Sequence, residues 1–463
     1  MIGRLFSIMI IGVLLFTVDG LGQNTWVKTF GGSGDEIGYS IVPTTDGGYI
    51  LTGGTRTNDG EFGGWTENTS DIFVMKLNSN GETVWKKTFG GSGGDWGSSI
   101  TNTNDSGYVL TGYTRSNDGD FSGMNKSVII INEHEIWVEY DIFVMKLNSN
   151  GDTVWKKTYG GNSYDLGYSI TTTSDGGYVL TGNTESNDGD FSGMNKGYDD
   201  IFVMKLNSSG DIVWKKTFGG DGVDYGTSIT RTRDGGYVLT GGTFSNNGDF
   251  SGMNKGKGDI IVIKLNSSGD IVWKKTFGGS NDEGENRFDE ERGTSILTTD
   301  DGGYILTGST SSNNGDFSGL KKKGGEDIFV IKINNNGKIV WKKKFGGTSD
   351  EKGNSITTTN DSGFVLTGYT YSDDGDFRGM KKEHSGYTDI IILKLNSIGD
   401  IVWKKSIGGT YQDKGNSITT TNDSGYVLTG YTRSNDVDFL ELKKEHGDFF
   451  FIKLDKNGNL EKK

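Results

Sequence analysis

Two sets of acids and a few histidines are the residues whose types and spacing could do chemistry in this sequence. The first set is the run Asp-x-Asp-x-Ser-Gly, at Asp118, Asp120, Ser122 and Gly123 and again at Asp188, Asp190, Ser192 and Gly193. Alternate side-chain oxygens followed by a turn-forming glycine are what a calcium loop supplies. Related loops carry Asn247, Asp249 and Ser251, then Asn314, Asp316 and Ser318, and more weakly Asp374 and Asp376 with Arg378. The ninth place of three of these loops holds Lys126, Lys196 or Lys255, and no acid recurs at the twelfth. The first and last copies also depart, with Glu61 before Gly63 and Asp438 before Leu440. The same oxygens suit Asx turns that satisfy their own backbone. Both readings stand: the lysines favour turns, and calcium is the alternative ligand.

The second set is an acid two residues ahead of a recurring glycine: Glu36, Asp95, Asp165, Asp224, Glu291, Glu351 and Asp413. Paired carboxylates can act as the acid and base of a glycosidase, but no pair here stands apart from the repeated set. The histidines are His134, His384 and His446, the last two in matching Lys-Lys-Glu-His segments that reflect repetition. Cysteine is absent, and neither His-Glu-x-x-His nor a phosphate-cradling loop with its lysine occurs. No catalytic residue is assigned and no cofactor is required.

These residues sit in a repeat. Trp-x-Lys, then an aromatic or Ile and Gly-Gly, recurs at Trp26, Trp85, Trp155, Trp214, Trp273, Trp341 and Trp403. Gly-x-Ser-Ile recurs seven times too, beginning at Gly38, Gly97, Gly167, Gly226, Gly293, Gly353 and Gly415. Within the unit 165–218 the β-branched and aromatic runs 169–173, 178–184, 200–207 and 211–218 are strands, separated by Gly, Asn and Asp clusters. Nothing has helical period. Four antiparallel strands repeated seven times predict an all-β, seven-bladed β-propeller over 23–463.

The pattern Gly-Tyr-Ser-Ile, Asp-Gly-Gly-Tyr-Val-Leu-Thr-Gly, Asp-Ile-Phe-Val-x-Lys-Leu-Asn and Trp resembles the β-propeller repeats of bacterial secreted and surface proteins, the SBBP type, and more distantly NHL repeats. It covers about residues 26–460. The resemblance implies that the Ser-Ile strand is innermost (A) and the Trp strand outermost (D). It says little of function. The chain opens on a D strand, 26–30, and ends on a C strand, 448–455, so the N-terminal strand is expected to complete the seventh blade.

The D–A and B–C connections of such a blade emerge on one face. That face carries both acid sets and both insertions: the apolar segment 127–140 with Trp137, and the charged run 281–292. Variable loops on a rigid scaffold are the usual carriers of binding. The candidate ligand-binding set is therefore Trp137 with the seven acids ahead of the glycines. Lysine pairs on the D strands (Lys86/Lys87, Lys156/Lys157, Lys215/Lys216, Lys274/Lys275) read as protection of an outer edge rather than a basic belt.

A net charge of −14 disfavours nucleic acid and anionic membrane surfaces as partners. Residues 1–22 read as a secretory signal peptide: Arg4, an apolar run over 8–16, then Gly20 and Gly22 at the cleavage positions. The mature chain is expected to be a monomer without a membrane span, exported to the periplasm, cell surface or exterior. Its expected function is a non-enzymatic binding or adhesion scaffold for a protein or glycan. The alternatives are a glycan-active hydrolase or lyase and a purely structural surface module.

Overall fold

The computed structural model describes residues 25–57, 59, 62, 69–132, 135–280, 295–320, 324–381, 386–440 and 446–460, with no side chains described over 128–137. The signal-peptide segment and the whole run 281–292, with Glu291, therefore lie outside the described residues, as do His134 and His384.

The strands form seven four-stranded antiparallel sheets, each in chain order from A to D except the last. That sheet takes its A, B and C strands from Asp413–Thr420, Tyr426–Thr432 and Asp448–Leu454, and its D strand from Trp26–Phe30. Trp26 pairs with Lys453 and Phe30 with Phe449, so the expected closure is present. An eighth, two-stranded sheet is the hairpin of Val128–Asn132 with Glu135–Val138, inside the insertion of the second blade.

Six of the A strands begin earlier than the sequence suggested, at the acid rather than the serine, as Asp165–Thr172 does in the third blade; the fifth is described from Ser295. The reason is a bulge between Gly167 and Ser169, which leaves one residue unpaired and turns the serine toward the next blade. Ser99 Oγ then accepts the Ile170 N–H at 3.3 Å, and Ser169 Oγ accepts that of Ile229 at 3.2 Å. Across the closure Ser417 does the same for Ile41 at 3.3 Å. The recurring Ser-Ile pair is thus an inter-blade clasp around the inner ring.

Each B and C strand is buried at all but at most one position, because blades cover it on both sides. Phe202 and Met204 of one face join Tyr178 and Leu180, while Ile201 and Val203 of the other join the core beneath the fourth blade. The C-strand lysine is buried as well. Lys76 Nζ donates to Asp46 in the A–B turn at 2.9 Å, and the same pair recurs as Lys146–Asp105, Lys205–Asp175 and Lys264–Asp234. Burial opposes ionisation of Asp46, but hydrogen bonds from Thr44, Lys76 and the Gly48 N–H outweigh it and hold the carboxyl at about 2.

The tryptophans hook neighbouring blades together at the perimeter. Trp214 Nε1 donates to the Ser267 carbonyl in the next C–D turn at 3.2 Å, and its ring lies 6.0 Å from that of Tyr237. A Cβ on Gly269, at φ +81°, would stand 2.8 Å from the indole, so the turn needs glycine. Beside each hook the second lysine of the pair reaches the same turn, as in Lys157–Asp211 at 2.5 Å and Lys216–Asp270 at 3.1 Å. The first lysine turns to its own B–C loop; Lys156 is 3.4 Å from Asp120. The pairs are thus engaged locally, in addition to charging the outer edge.

Candidate functional site on the loop face

The D–A and B–C loops are tied to each other by the residues that looked like calcium ligands. Asp118 Oδ1 accepts the Ser92 N–H at 2.7 Å and Asp120 Oδ2 the Gly90 N–H at 3.2 Å. In the next blade Asp188 accepts from Asn162 and Asp190 from Gly160. Asp249 and Asp316 take the N–H groups of Gly219 and Gly278, each at 3.0 Å. The aromatic between the acid and the serine is a plug: Phe121, Phe191, Phe250 and Phe317 are fully buried. Ser122, Ser192, Ser251 and Ser318 lie exposed at the end of the short 3-10 turn and take no part in the latch. The oxygens bond a neighbouring loop's backbone, whereas an Asx turn would bond its own. Among the described residues, no group of three or more Asp, Glu or His side chains is arranged to hold a metal ion.

The acids ahead of the repeat glycines need correcting as a ligand-facing set. Glu36, Asp95, Asp165, Asp224, Glu351 and Asp413 have no exposed surface. Asp95 Oδ2 accepts from the Gly91 N–H at 3.0 Å and from Ser116 Oγ at 2.7 Å, and Thr114 bonds its other oxygen. Asp413 repeats this with Gly409, Ser434 and Thr432. Each acid's own N–H reaches back one blade, as from Asp165 to the Tyr140 carbonyl at 2.8 Å and from Glu36 to that of Gly447 at 2.9 Å. These carboxylates bind the blades to one another. Burial pushes Asp95, Asp165, Asp413 and Glu351 up to about 7, against the hydrogen bonds that favour their ionised forms.

A second buried acid, unremarked in the sequence, begins each C strand. Asp141 and Asp200 have no exposed surface, and one oxygen of each has no hydrogen-bond partner. Burial raises Asp141 to about 8, with its neighbour Asp165 adding to the shift. A Cβ on Gly160 would stand 2.2 Å from Asp141 Oδ1 and 2.8 Å from Asp165 Oδ2, which accounts for the first glycine of the Gly-Gly pair.

Solvent-facing chemistry gathers where the repeat is broken. A cavity of about 950 Å³ opens on the loop face at the first and second blades, lined by Asp35, Arg56, Trp96, Arg115, Tyr140 and His446 among others. The Arg56 guanidinium lies 5.3 Å from the Trp96 ring centre, and that of Arg115 lies 5.8 Å from Tyr140's. Arg56 Nε donates to Ser70 Oγ at 3.2 Å, and Arg115 Nε to the Val138 carbonyl at 2.5 Å. Val138 and Tyr140 bring the end of the insertion to the rim. Trp137, in the same hairpin, pairs with Ile129, and its side chain is outside the description. Asp35 accepts from the Gly447 N–H at 2.9 Å and from Tyr431 Oη at 3.2 Å, with Arg433 3.4 Å away.

Ser92 also lines this cavity, within Gly90-Gly91-Ser92-Gly93-Gly94, a formal Gly-x-Ser-x-Gly run. It occupies a D–A loop rather than a strand-to-helix elbow, and among the described residues it makes no hydrogen bond to His446. The sequence signal for the cavity was departure from the repeat. Trp96 stands where other blades have Ile37, Leu166, Tyr225, Lys352 and Lys414. Arg56 and Arg115 stand where others have Glu185, Phe244, Ser311 and Tyr371, although the seventh blade repeats the arginine as Arg433.

No protein-family model matches this chain, and no curated protein matches it. Among solved structures it is similar to a Bacteroides caccae protein of unknown function, at 10% identity and a TM-score of 0.37 over 80% of this chain and 97% of that one. It is also similar to the WD40 domain of Neurospora crassa Pan2, at 8% identity and a TM-score of 0.45 over 93% of this chain and 95% of that one. The seven-bladed architecture itself rests on the sheet topology above. Among the described residues, no helix is long and apolar enough to cross a membrane.

Proposed function

We propose that the chain is a non-enzymatic binding scaffold, exported by its N-terminal segment, that engages a glycan or protein through the D–A and B–C loop face. The observation that carries this reading is the cavity at the first two blades. It is the place where exposed Arg56 meets partly exposed Arg115 and Tyr140, in a repeat whose acids ahead of the glycines are buried in inter-blade bonds. Among the described residues the acids ahead of the repeat glycines are buried, so hydrolysis or lysis is the weaker reading. No cofactor is required, and calcium remains an alternative occupant of the outer loops. A glycan array run beside a panel of glycosidase and lyase substrates tests the proposal. Array binding without turnover is the expected result, and turnover that survives rigorous purification would overturn it.

A further inference from the structure

The cavity has a chemical bias that the scaffold as a whole lacks. The chain carries a net charge of −14, yet two guanidinium groups from adjacent blades, Arg56 and Arg115, line one opening. Among the described residues, the two acids that line the opening are engaged: Asp118 by the Ser92 N–H, and Asp35 by Tyr431, Arg433 and the Gly447 N–H. Each guanidinium is held by an aromatic ring on one side and a hydrogen bond through Nε. For Arg56 that arrangement fixes the planar fork, the geometry by which arginine recognises a carboxylate, and Arg115 adds a second positive charge beside it. Trp96 is nearly buried, and a Cβ on Gly54 would stand 2.1 Å from its ring, so it serves as a brace for Arg56 rather than a stacking platform.

Resting on the reading of this face as a binding surface, we infer that the cavity binds a short glycan bearing one or two carboxylates, as uronates and sialates do. Three features point to a compact sugar rather than a peptide. The volume, about 950 Å³, is at the upper end of small-ligand sites. Besides Val138 and His446, the remaining lining is largely hydroxyl, amide and glycine backbone, from Thr69, Ser70, Ser92, Gly93, Gly94 and Asn117, which matches a ligand made of hydroxyls. A peptide would want a strand edge or a long apolar groove, and the free strand edges of this fold lie at the perimeter. The overall negative charge selects against densely charged polyanions and leaves sparse carboxylates to the local arginine pair.

The test is calorimetric titration of the full chain with four probes: trigalacturonate, sialyllactose, lactose and a heparin hexasaccharide. At least one carboxylated probe is expected to bind, lactose and heparin to bind weakly or not at all. Arg56→Gln should weaken that binding at least about tenfold, as loss of a charge-assisted fork does. Arg56 is exposed, so an unchanged melting temperature is expected to accompany the loss. Arg56→Lys, which keeps the charge without the fork, should recover only part of it. Binding of no probe would overturn the inference, as would equal binding of lactose or tighter binding of heparin. Carboxylate binding that survives Arg56→Gln and Arg115→Gln but is lost with Tyr198→Ala or Tyr387→Ala would also overturn it, while leaving binding on the loop face intact.

Discussion

Truncating one perimeter hook, Trp214→Ala, should destabilise the fold without touching the loop face. The side chain is half-buried between the third and fourth blades, against Tyr237 and the Gly269 turn, with its indole N–H bonded to Ser267. Removing a fully buried tryptophan costs about 3–5 kcal/mol, and half burial brings this to about 2–3 kcal/mol, of which the hydrogen bond is about 1. Trp214→Phe isolates the last part. It keeps a ring over the glycine and loses the N–H, at a cost of about 0.5–1 kcal/mol, because the Ser267 carbonyl can take water instead. The assay is urea unfolding followed by far-ultraviolet circular dichroism, read as a midpoint shift at unchanged slope. Unchanged stability in Trp214→Ala, with loss of ligand binding, would refute the reasoning and make the tryptophans an exposed platform.

Three further outcomes are expected. Stability should peak near pH 4–5, and both limbs have assigned causes. Below that range the turn aspartates Asp46, Asp105, Asp175, Asp301 and Asp361, held at about 2 by their hydrogen bonds and lysines, lose their contribution as they protonate. Above it, Asp95, Asp165, Asp413 and Glu351, raised to about 7, and Asp141, raised to about 8, must take up protons on folding, so stability declines from that range to about pH 8. Asp165→Asn should flatten that decline by up to about 1.4 kcal/mol per pH unit, and melting scans across pH check it. Deleting residues 23–31 removes the strand paired with Asp448–Leu454, and light scattering should then show aggregation with a lowered melting temperature; a monomer of parental stability would contradict the closure. Millimolar calcium should shift the melting temperature no more than magnesium does, since the loop acids already accept backbone N–H groups. A calcium-specific shift abolished by Asp118→Asn with Asp188→Asn would restore the calcium reading.

The fold was legible because its signals are local and repeated seven times. Glycine-bounded strands, the Trp hook and the orphan strands at 26–30 and 448–454 fix blade number and closure without long-range information. The direction of the acids was not legible. Sequence places Asp95 and Asp165 at the start of an A strand, but only the bulge and the packing of the preceding blade decide that their carboxyls point inward. For Asp118 and Asp120, the donors come from a loop 26–30 residues away in the chain. The cavity was hidden for a different reason. Reading by consensus emphasises what recurs, whereas Trp96 and Tyr140 do not recur, and the arginine of Arg56, Arg115 and Arg433 recurs in only three of the seven copies.

The most direct test of loop-face binding uses the absence of cysteine, which makes a single introduced thiol the only labelling site. Tyr198→Cys lies in a B–C loop and Ile398→Cys in a C–D turn on the opposite face; both native side chains are well exposed, at 67% and 60%. Each variant, coupled to a bulky maleimide polymer and applied to the glycan array, measures which face must be open. The label at 198 is expected to suppress array binding while the label at 398 leaves it at the level of the unlabelled chain. Suppression by the label at 398 alone would contradict it.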